Sequence, residues 1–300
     1  MPDQTILVIG ATGQLARALE VAHRGIGAGS IILAGRPETD ISRPSSLRAA
    51  IDRVRPGIVI NASAYTSVDQ AEREEAEAFA INAEGPASLA ALTAASGIPL
   101  IHVSTDYVFS GDKPSPYAET DPADPASVYG RSKLAGERGV AAENRDHVIL
   151  RTAWLYSPWG RNFVTTMLRL AEDRDIVRVV SDQRGNPTSA SDLADVILGV
   201  ASQWHHGDAT PGLFHASASG DASWAEFAEQ VFASSRALGS KGAEVDPITS
   251  AEYPTEARRP ENSRLDCSRL YEAYKIQLPH WRGSVEACVK QIIGGKVATS

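Results

Sequence analysis

The segment Thr5-Ile-Leu-Val-Ile-Gly-Ala-Thr-Gly-Gln-Leu-Ala16 decides the fold. An apolar run leads directly into Gly10, Gly13 follows it closely, and Ala16 ends the segment. A glycine at a strand-to-helix turn permits the tight bend, and a second one lets the backbone approach a pyrophosphate at the positive end of the helix. Ala16 suits the third role in such loops, close packing of helix on strand, although the spacing is not the standard Gly-x-Gly-x-x-Gly. The segment therefore predicts a dinucleotide loop after a first buried strand.

The alternation that begins with this segment continues through the first half of the chain. Short β-branched runs alternate with longer Ala- and Leu-rich segments that have helical spacing. The runs are 6–9, 31–33, 58–60, 100–103, 148–150 and 176–180, and the helical segments are 15–23, 71–95 and 133–142. Consecutive apolar residues suit strands buried on both faces, and intervening helices imply right-handed βαβ units. The pattern predicts an α/β fold with a doubly wound, Rossmann-like parallel sheet; a mixed α+β fold is the alternative.

The rhythm loosens after Trp154. Segments rich in Gly, Pro, Ser and Asp appear at 181–191, 207–212 and 254–263, and helices are predicted at 191–203 and 222–238. We predict a dinucleotide-binding domain over 1–154 and a smaller substrate-binding lobe over most of 155–300. Segments around 176–204 are expected to return to the first domain.

Composition excludes several function classes. The 300 residues are 43% hydrophobic and carry a net charge of −8 without a basic tract, which argues against a nucleic-acid partner. Cys267 and Cys288 lack Cys-x-x-Cys spacing, so neither a disulfide framework nor a zinc site is predicted. The adjacent His205 and His206 near Asp208 are interpreted as surface residues, and no metal is predicted. With neither a basic leader nor a membrane-length apolar run, the chain is expected to be soluble and cytoplasmic.

The end of the second predicted strand bears on the choice of cofactor. It reads Leu33-Ala-Gly-Arg36, at the place that faces the adenosine ribose in such folds. An acidic residue there would bind a free 2′-hydroxyl, whereas an arginine accommodates a 2′-phosphate. Arg36 therefore favours NADPH, with NADH possible; the alternative is a loop cation on a solvated edge. Asp40 and Ile41 follow after a short turn, where the carboxylate either approaches the adenine or caps a helix.

A run of small residues follows the third predicted strand. It comprises Ala62, Ser63 and Ala64 and ends at Tyr65. Small side chains would let the cofactor lie against the sheet edge. Simple close packing is the alternative explanation.

Hydroxyl and basic side chains follow at the next strand end and the next helix. The fourth strand is followed by Ser104-Thr-Asp-Tyr107, and a helix then begins with Tyr129-Gly-Arg-Ser-Lys133. Ligands of open α/β sheets sit outside the carboxyl ends of the strands, so Thr105 is expected to point to the cofactor crevice. Tyr129 and Lys133 are four residues apart and share one face of a helix. A half-buried tyrosine beside a solvated lysine is the structural alternative.

Reduction of a ketone explains why these residue types occur together. Hydride addition leaves an alkoxide that must receive a proton as it forms. Tyr129 could donate it if its pKa, about 10 when unperturbed, is pulled toward neutrality. The ammonium of Lys133 favours the phenolate and would have that effect. The same lysine could bind the nicotinamide ribose, while Thr105 donates to the substrate oxygen.

With these parts in order, the chain resembles the extended short-chain dehydrogenase/reductase family, most closely its dTDP-4-dehydrorhamnose reductase branch. The blocks that carry the resemblance are Gly10–Leu15, Asn61–Tyr65, Ser104–Phe109, Tyr129–Lys133, Arg151–Tyr156, Asn162–Phe163, Asp182–Thr188 and Arg259–Ser263. The resemblance implies NADPH-dependent reduction of the 4-keto group of dTDP-4-dehydrorhamnose. It makes Thr105, Tyr129 and Lys133 the catalytic triad. The implied cofactor contacts are Gly10, Thr12, Gly13, Gln14, Leu15, Arg36, Asp40, Ile41, Ala62, Ser63, Ala64, Tyr65, Tyr129 and Lys133.

The resemblance also assigns a substrate site to the second lobe. Asp106, Tyr107, Trp154 and Asn162, besides Thr105, are expected to approach the hexulose, and Arg259 and Asn262 to close over the nucleotide. For Trp154 a core aromatic is the alternative, and for Arg259 it is an interdomain salt bridge. Some relatives hold a divalent cation at a dimer interface, but no matching acidic constellation is found here. A homodimer is possible.

Alternative activities remain within the same fold. One is a ketoreductase acting on a different dTDP-4-keto-6-deoxy sugar, and another is a non-catalytic regulatory subunit. A dehydratase would require an acid pair beside Thr105, and Asp106 has no adjacent glutamate.

Overall fold

The computed structural model describes residues 5–26 and 29–297. The strands are β1 Ile6–Ile9, β2 Ile31–Ala34, β3 Ile58–Asn61, β4 Leu100–Thr105, β5 His147–Thr152, β6 Leu155–Tyr156, β7 Ile176–Val180, β8 Arg184–Gly185, β9 Thr188–Ser189, β10 Gly212–His215, β11 Ala222–Ser223 and β12 Glu244–Ile248. The helices are α1 Gln14–Ile26, α2 Pro44–Val54, α3 Val68–Ala71, α4 Glu75–Phe79, α5 Gly85–Ala95, α6 Val128–Glu143, α7 Phe163–Asp173, α8 Ala190–His206, α9 Trp224–Ala237, α10 Ser268–Tyr274 and α11 Trp281–Val297. None of these helices combines the length and apolar character that a bilayer crossing needs.

A parallel sheet forms the centre of the first lobe. Its strand order is β10-β5-β4-β3-β1-β2, and every neighbouring pair runs parallel. Because β2 and β3 flank β1 on opposite sides, the carboxyl ends of β1 and β3 border the topological switch point where such folds bind ligands. The predicted doubly wound, Rossmann-like sheet is confirmed.

Both faces of this sheet are buried, which explains the consecutive apolar residues in its strands. Ile6 and Val8 point into the layer formed with α1 and α8, whereas Leu7 and Ile9 point into the layer formed with α2 and α5. All four side chains are buried. A one-sided sheet would have required polar residues at alternate positions.

The segment around 176–204 divides between the two lobes. Strand β7 pairs in parallel with β12, far along the chain, and contributes to the core of the second lobe. Helix α8 instead packs on α1, and β10 extends the main sheet beside β5. The residues of α8 therefore pack in the core of the first lobe, whereas the apolar residues of β7 pack with those of α7 and α9.

The helix expected over 71–95 is interrupted. Helices α3 and α4 are followed by a π-helical turn, Ala80–Glu84, before α5 continues. Pro86 explains the wide turn, since its ring would clash with the carbonyl of Asn82 in a regular helix. The single helix was therefore a wrong prediction, and the turn brings Asn82 to face the neighbouring elements.

Candidate active site

Two predicted cofactor loops are in direct contact. Gly10 has φ of +114°, and a Cβ added there would lie 2.9 Å from the backbone nitrogen of Ser63. The backbone N–H of Gly10 donates to Ala34 at 2.8 Å, and that of Ala62 donates to Ile9 at 2.9 Å. Only glycine accommodates both this backbone conformation and this approach. The ends of β1, β2 and β3 are thereby drawn together at the switch point.

Residues of the dinucleotide loop differ in their exposure and therefore in their access to a ligand. Thr12 and Gly13 are exposed at the mouth of the loop, whereas Leu15 is buried in the core under α1. The Nε2 of Gln14 donates to the Leu155 carbonyl at 3.4 Å, and its Oε1 is buried without a partner among the described residues. Leu15 therefore supports the loop from below, and its side chain is not available to a cofactor.

Arg36, at the end of β2, is exposed and has no ion pair within the described residues. Its guanidinium is accordingly accessible to an anion. Asp40 forms a local turn, since its Oδ1 accepts from the backbone N–H of Ser42 at 3.0 Å and from the Ser42 hydroxyl at 2.8 Å. These hydrogen bonds, together with the positive charge of Arg43, hold the pKa of Asp40 below its ordinary value. Ile41 is buried and packs into the core beside α2.

Tyr65 ends the loop of small residues and is anchored at both its backbone and its ring. Its hydroxyl donates to Glu74 at 2.6 Å, and burial together with this carboxylate raises the pKa of Tyr65 to about 12. Its backbone is held by the side chain of Asn82. Asn82 is not recognisable from the sequence as a partner of this loop, because only the π-helical turn orients it toward Tyr65.

Thr105, Asp106 and Tyr107 meet Tyr129 at the end of β4. The Thr105 hydroxyl donates to Asp106 at 3.0 Å and accepts from the backbone N–H of Tyr107 at 3.2 Å. The rings of Tyr107 and Tyr129 meet edge to face, with centroids 5.6 Å apart. Burial raises the pKa of Asp106 to about 6, and one of its carboxylate oxygens has no partner among the described residues.

The pKa of Tyr129 is higher than expected from the sequence. Burial raises it to about 12, while the nearby Thr105 hydroxyl acts in the opposite direction. Lys133 is 2% exposed, and its Nζ donates to the Val103 carbonyl at 2.6 Å. Because the ammonium is engaged there, the expected lowering of the pKa of Tyr129 by Lys133 is wrong for this arrangement. Burial lowers the pKa of Lys133 itself to about 8, although the nearby carboxylate of Glu137 acts to raise it.

A buried ion pair lies beneath this site. Glu137 follows Lys133 by one turn of α6 and accepts from Arg151 at 2.9 and 2.6 Å. Both side chains are almost fully buried, at 5% and 4% exposure. The Ser104 hydroxyl also donates to Glu137, so the network joins α6 to β4 and β5. Glu137 could have been suspected from its helical spacing, but its partner on β5 could not.

Trp154 stacks against Trp224 rather than standing alone. The two ring centroids are 3.6 Å apart and the ring planes are 3° from parallel. Phe163 packs on Trp224 with a centroid separation of 4.7 Å. Trp224 and Phe163 line a cavity of about 1050 Å³ in the second lobe, together with Met167, Gln183, Tyr253 and Arg259. The cavity also reaches Ser110 and Asp112, in the loop that follows Tyr107. Trp154 thus supports the aromatic wall from behind.

Arg259 forms an interdomain ion pair, which was the alternative to its expected contact with the nucleotide. Its two terminal nitrogens donate to Asp69 on α3 at 3.0 and 2.7 Å. Asp69 also accepts a hydrogen bond from the backbone N–H of Ala257. The hydrogen bonds from Arg259 lower the pKa of Asp69. The pair ties one wall of the cavity to the first lobe.

Asn162 and Asn262 use their amides within the fold. Asn162 caps α7, with its oxygen accepting from Thr165 and its nitrogen donating to the carbonyl of Ser157 at 2.8 Å. Asn262 donates to the carbonyls of Lys113 and Ser115 and accepts from Arg264. Each asparagine therefore shapes a loop beside the cavity. No cluster of three or more metal-ligating side chains is found over residues 5–26 and 29–297.

Comparisons with known proteins show which proteins this chain is similar to. A model of the RmlD substrate binding domain matches residues 4–293. A dTDP-4-dehydrorhamnose reductase from Sinorhizobium fredii is 46% identical over 286 residues, which are 95% of this chain and 96% of the relative. A Streptomyces antibioticus protein named probable dTDP-4,6-dihydroxy-2-methyloxan-3-one 4-ketoreductase is 40% identical over 291 residues, 97% of this chain and 96% of the relative.

A solved structure has the same fold as this chain. The dTDP-4-dehydrorhamnose reductase from Bacillus anthracis str. Ames in complex with NADP has a TM-score of 0.89 and 34% identity, covering 96% of this chain and 99% of that one. Together with the family model, which spans nearly the whole sequence, this likeness shows that the chain belongs to the RmlD substrate binding domain family.

Proposed function

We propose that the chain is an NADPH-dependent reductase of the 4-keto group of dTDP-4-dehydrorhamnose, giving dTDP-L-rhamnose. The observation that carries this proposal is that Thr105, at the end of β4, and the dinucleotide loop, after β1, lie at the carboxyl edge of one parallel sheet, with Tyr129 and Lys133 on the helix that follows β4. The relative named dTDP-4-dehydrorhamnose reductase, at 46% identity, supports the substrate. The structure solved with NADP supports the cofactor.

The residues of the first lobe fit a dinucleotide. Gly10 lets the dinucleotide loop lie tight against the backbone of Ala62 and Ser63, with which a Cβ would collide, and the exposed Arg36 is accessible to a 2′-phosphate. The loop 62–65 would support the nicotinamide end, beside Lys133. Bound NADPH supplies the hydride.

The chain itself positions the ketone and delivers the proton. Thr105 and Tyr129 hold the substrate oxygen by hydrogen bonds, and Tyr129 gives up its proton as the alkoxide forms. With a pKa of about 12, Tyr129 keeps its proton at neutral pH until negative charge develops on that oxygen. Lys133 supplies a buried positive charge one helical turn away. Because that charge is desolvated, it acts more strongly on a developing anion than it would in water.

The nucleotide-sugar occupies the second lobe in this proposal. Residues 1–154 with α8 and β10 hold the cofactor, and the cavity beside Trp224 and Arg259 receives the nucleotide. An aromatic wall suits a base, and a guanidinium at the rim suits a diphosphate. Remote binding energy of this kind positions the ketone. A free 4-keto sugar should therefore turn over far more poorly than its dTDP form.

Tyr129→Phe tests the proposal, because it removes the proton donor and keeps the ring packing. We expect kcat to fall by roughly 10²–10⁴-fold while the fold and NADPH binding persist. Steady-state kinetics with dTDP-4-dehydrorhamnose, and NADPH fluorescence titration, measure the two quantities. Near wild-type kcat in the variant would remove Tyr129 from the mechanism.

The Streptomyces antibioticus relative favours a second candidate, a ketoreductase of another dTDP-4-keto sugar. A panel of such sugars, with product configuration determined by NMR, distinguishes the two candidates. A protein that turns over none of them would instead fit a regulatory subunit.

A further inference from the structure

Gln183 connects the aromatic wall of the cavity to the segment that follows β12. Its side chain is 8% exposed. Its Oε1 accepts from the indole N–H of Trp224 at 3.2 Å, and its Nε2 donates to the Ser250 hydroxyl at 2.9 Å. All three residues line the cavity of the second lobe. The amide of Gln183 therefore restrains the orientation of the Trp224 ring within the cavity wall.

The hydrogen bonds around Gln183 run in one direction. The Ser250 hydroxyl, which accepts from Gln183, donates to the carboxylate of Asp182 at 2.7 Å. The backbone N–H of Ser250 donates to the same carboxylate at 2.8 and 3.0 Å. Hydrogen bonds linked in this way polarise and strengthen one another. The carboxylate fixes the chain at one end and the indole of Trp224, which can only donate, fixes it at the other.

The Trp224 ring is coupled in turn to the catalytic edge of the sheet. It stacks on Trp154, with ring centroids 3.6 Å apart. Trp154 follows soon after the end of β5, where Thr152 pairs with Thr105 of β4. The Trp154 ring has little room to move, because a Cβ added at Gly185 would lie 2.4 Å from it. The two stacked indoles therefore set the position of the cavity wall relative to Thr105.

We propose that Gln183 is a positioning residue, which orients Trp224 so that a nucleotide-sugar bound against the aromatic wall presents its ketone to Thr105 and Tyr129. The inference rests on the proposed function, since it takes the cavity beside Trp224 as the nucleotide site. Both ends of the Gln183 amide are bonded within the protein, so the residue acts through Trp224. Its effect follows from geometry, because misplacement by about 1 Å in such a site costs on the order of 100-fold in rate.

The chain provides a matched control on the same helix. Gln230 lies further along α9 than Trp224 and is also bonded at both ends of its amide. Its Oε1 accepts from Arg282 at 2.8 Å, and its Nε2 donates to the Ser234 hydroxyl at 3.2 Å. Within the described residues, the lining of the cavity does not include Gln230. Loss of its amide therefore removes comparable bonds away from the proposed wall.

The experiment compares Gln183→Met with Gln230→Met, since methionine has nearly the length of glutamine and lacks both polar atoms of the amide. Thermal melting, kinetics with dTDP-4-dehydrorhamnose and NADPH, and competitive inhibition by dTDP are measured on the full chain. We expect Gln183→Met to lower kcat about tenfold and to change KM for NADPH and the inhibition constant of dTDP by less than about threefold. The reason is that dTDP alone can settle against a rotated wall, whereas the ketone must still reach Thr105.

The control variant should leave all three kinetic quantities unchanged. Equal kinetic effects of Gln183→Met and Gln230→Met would overturn the proposal. A rise in the inhibition constant of dTDP as large as the fall in kcat/KM would also overturn it, because Gln183 would then be a direct ligand of the nucleotide.

Trp224→Phe tests whether Gln183 acts through the indole, since phenylalanine keeps a ring in the wall but has no N–H to donate. Two residues that act through one shared contact are not additive in a double-mutant cycle. Adding Gln183→Met to Trp224→Phe should therefore lower kcat by no more than about a further twofold. A further fall as large as that in the single Gln183→Met variant would contradict the proposed route.

Ser250→Ala decides the matter if Gln183→Met does not fold, because it leaves the bond between Gln183 and Trp224 in place and removes the support behind it. It should retain the fold and lower kcat about threefold, at the lower end of the value of one hydrogen bond. Unchanged kcat in a folded Ser250→Ala protein would then overturn the proposal. Tyr129→Phe in the same assay separates the two levels. If Tyr129→Phe stays active, the proposed function fails; if it is inactive while Gln183→Met matches Gln230→Met, only the role of Gln183 fails.

Discussion

Replacement of Glu137 by glutamine should strongly destabilise the protein. The carboxylate is 5% exposed and accepts from Arg151, itself 4% exposed, at 2.9 and 2.6 Å. Glutamine keeps the shape but sets an NH₂ group against one arm of the guanidinium, so that one bond is lost and the arginine charge is left uncompensated. Breaking a buried pair in this way costs about 3–5 kcal/mol in the free energy of unfolding. We expect a loss of that size.

The exposed pair of Glu20 and Arg24 provides the control. Its side chains are 40% and 72% exposed, and the two residues lie one turn apart on α1. Pairs of this kind contribute about 0–1 kcal/mol, so Glu20→Gln should change the free energy of unfolding only slightly. Urea unfolding followed by circular dichroism gives both values, with the m-value checked for constancy. A loss below about 1 kcal/mol for Glu137→Gln, equal to the control, would refute the argument from burial.

Glu137→Gln should also change the pH dependence of the reaction. Burial lowers the pKa of Lys133 to about 8, and the carboxylate of Glu137 acts in the opposite direction by raising this pKa. Without the negative charge this pKa falls further, so the lysine loses its proton at lower pH. The alkaline limb of kcat/KM should therefore move to lower pH in the variant. An unmoved limb would show that Glu137 has no electrostatic effect on Lys133 in catalysis.

Three other predictions concern charged groups around the site. Arg36→Ala should raise KM for NADPH and leave KM for NADH nearly unchanged in steady-state assays; equal effects on the two cofactors would contradict a 2′-phosphate contact. In the unmodified protein, kcat/KM for NADPH should fall as pH rises past about 8, because the ammonium of Lys133 loses its proton there; a rate constant that stays level to pH 10 would remove the lysine charge from the mechanism. Asp69→Asn should raise KM for the dTDP-sugar but not for NADPH, since it releases Arg259 at the cavity wall; an equal rise for both ligands would point to general loosening of the fold.

The fold was largely predictable because its determinants are local. The consecutive apolar residues of β1, β3 and β4 require burial on both faces, and the glycines after β1 require a tight turn. The interruption before α5 was not predicted, because the helical spacing was taken to continue over the whole of 71–95. In the structure Pro86 lies within a longer helical segment, where the clash with the carbonyl of Asn82 is relieved by a wider turn.

The site was predictable in its residue types but less so in its contacts. Thr105, Tyr129 and Lys133 follow from strand-end and helical spacing. The partners of Arg259 and Trp154 do not, since Asp69 stands 190 residues from Arg259, and Trp224 faces Trp154 only once the second lobe has formed. The pKa of Tyr129 was mispredicted for a related reason: spacing shows which side chains share a face, but not that Val103 engages the ammonium.

The return of α8 and β10 to the first lobe affects how the protein is made. These elements cover α1 and complete the sheet beside β5, yet they follow the first part of the second lobe along the chain. Synthesis runs from the amino terminus, so the ribosome releases the first five strands well before the residues that shield Ala18 and Leu19. A gene fragment ending at residue 154 would encode the nucleotide loop and the triad but leave that apolar surface bare. We therefore expect such a fragment to aggregate. In the full chain, we expect the two lobes to fold together.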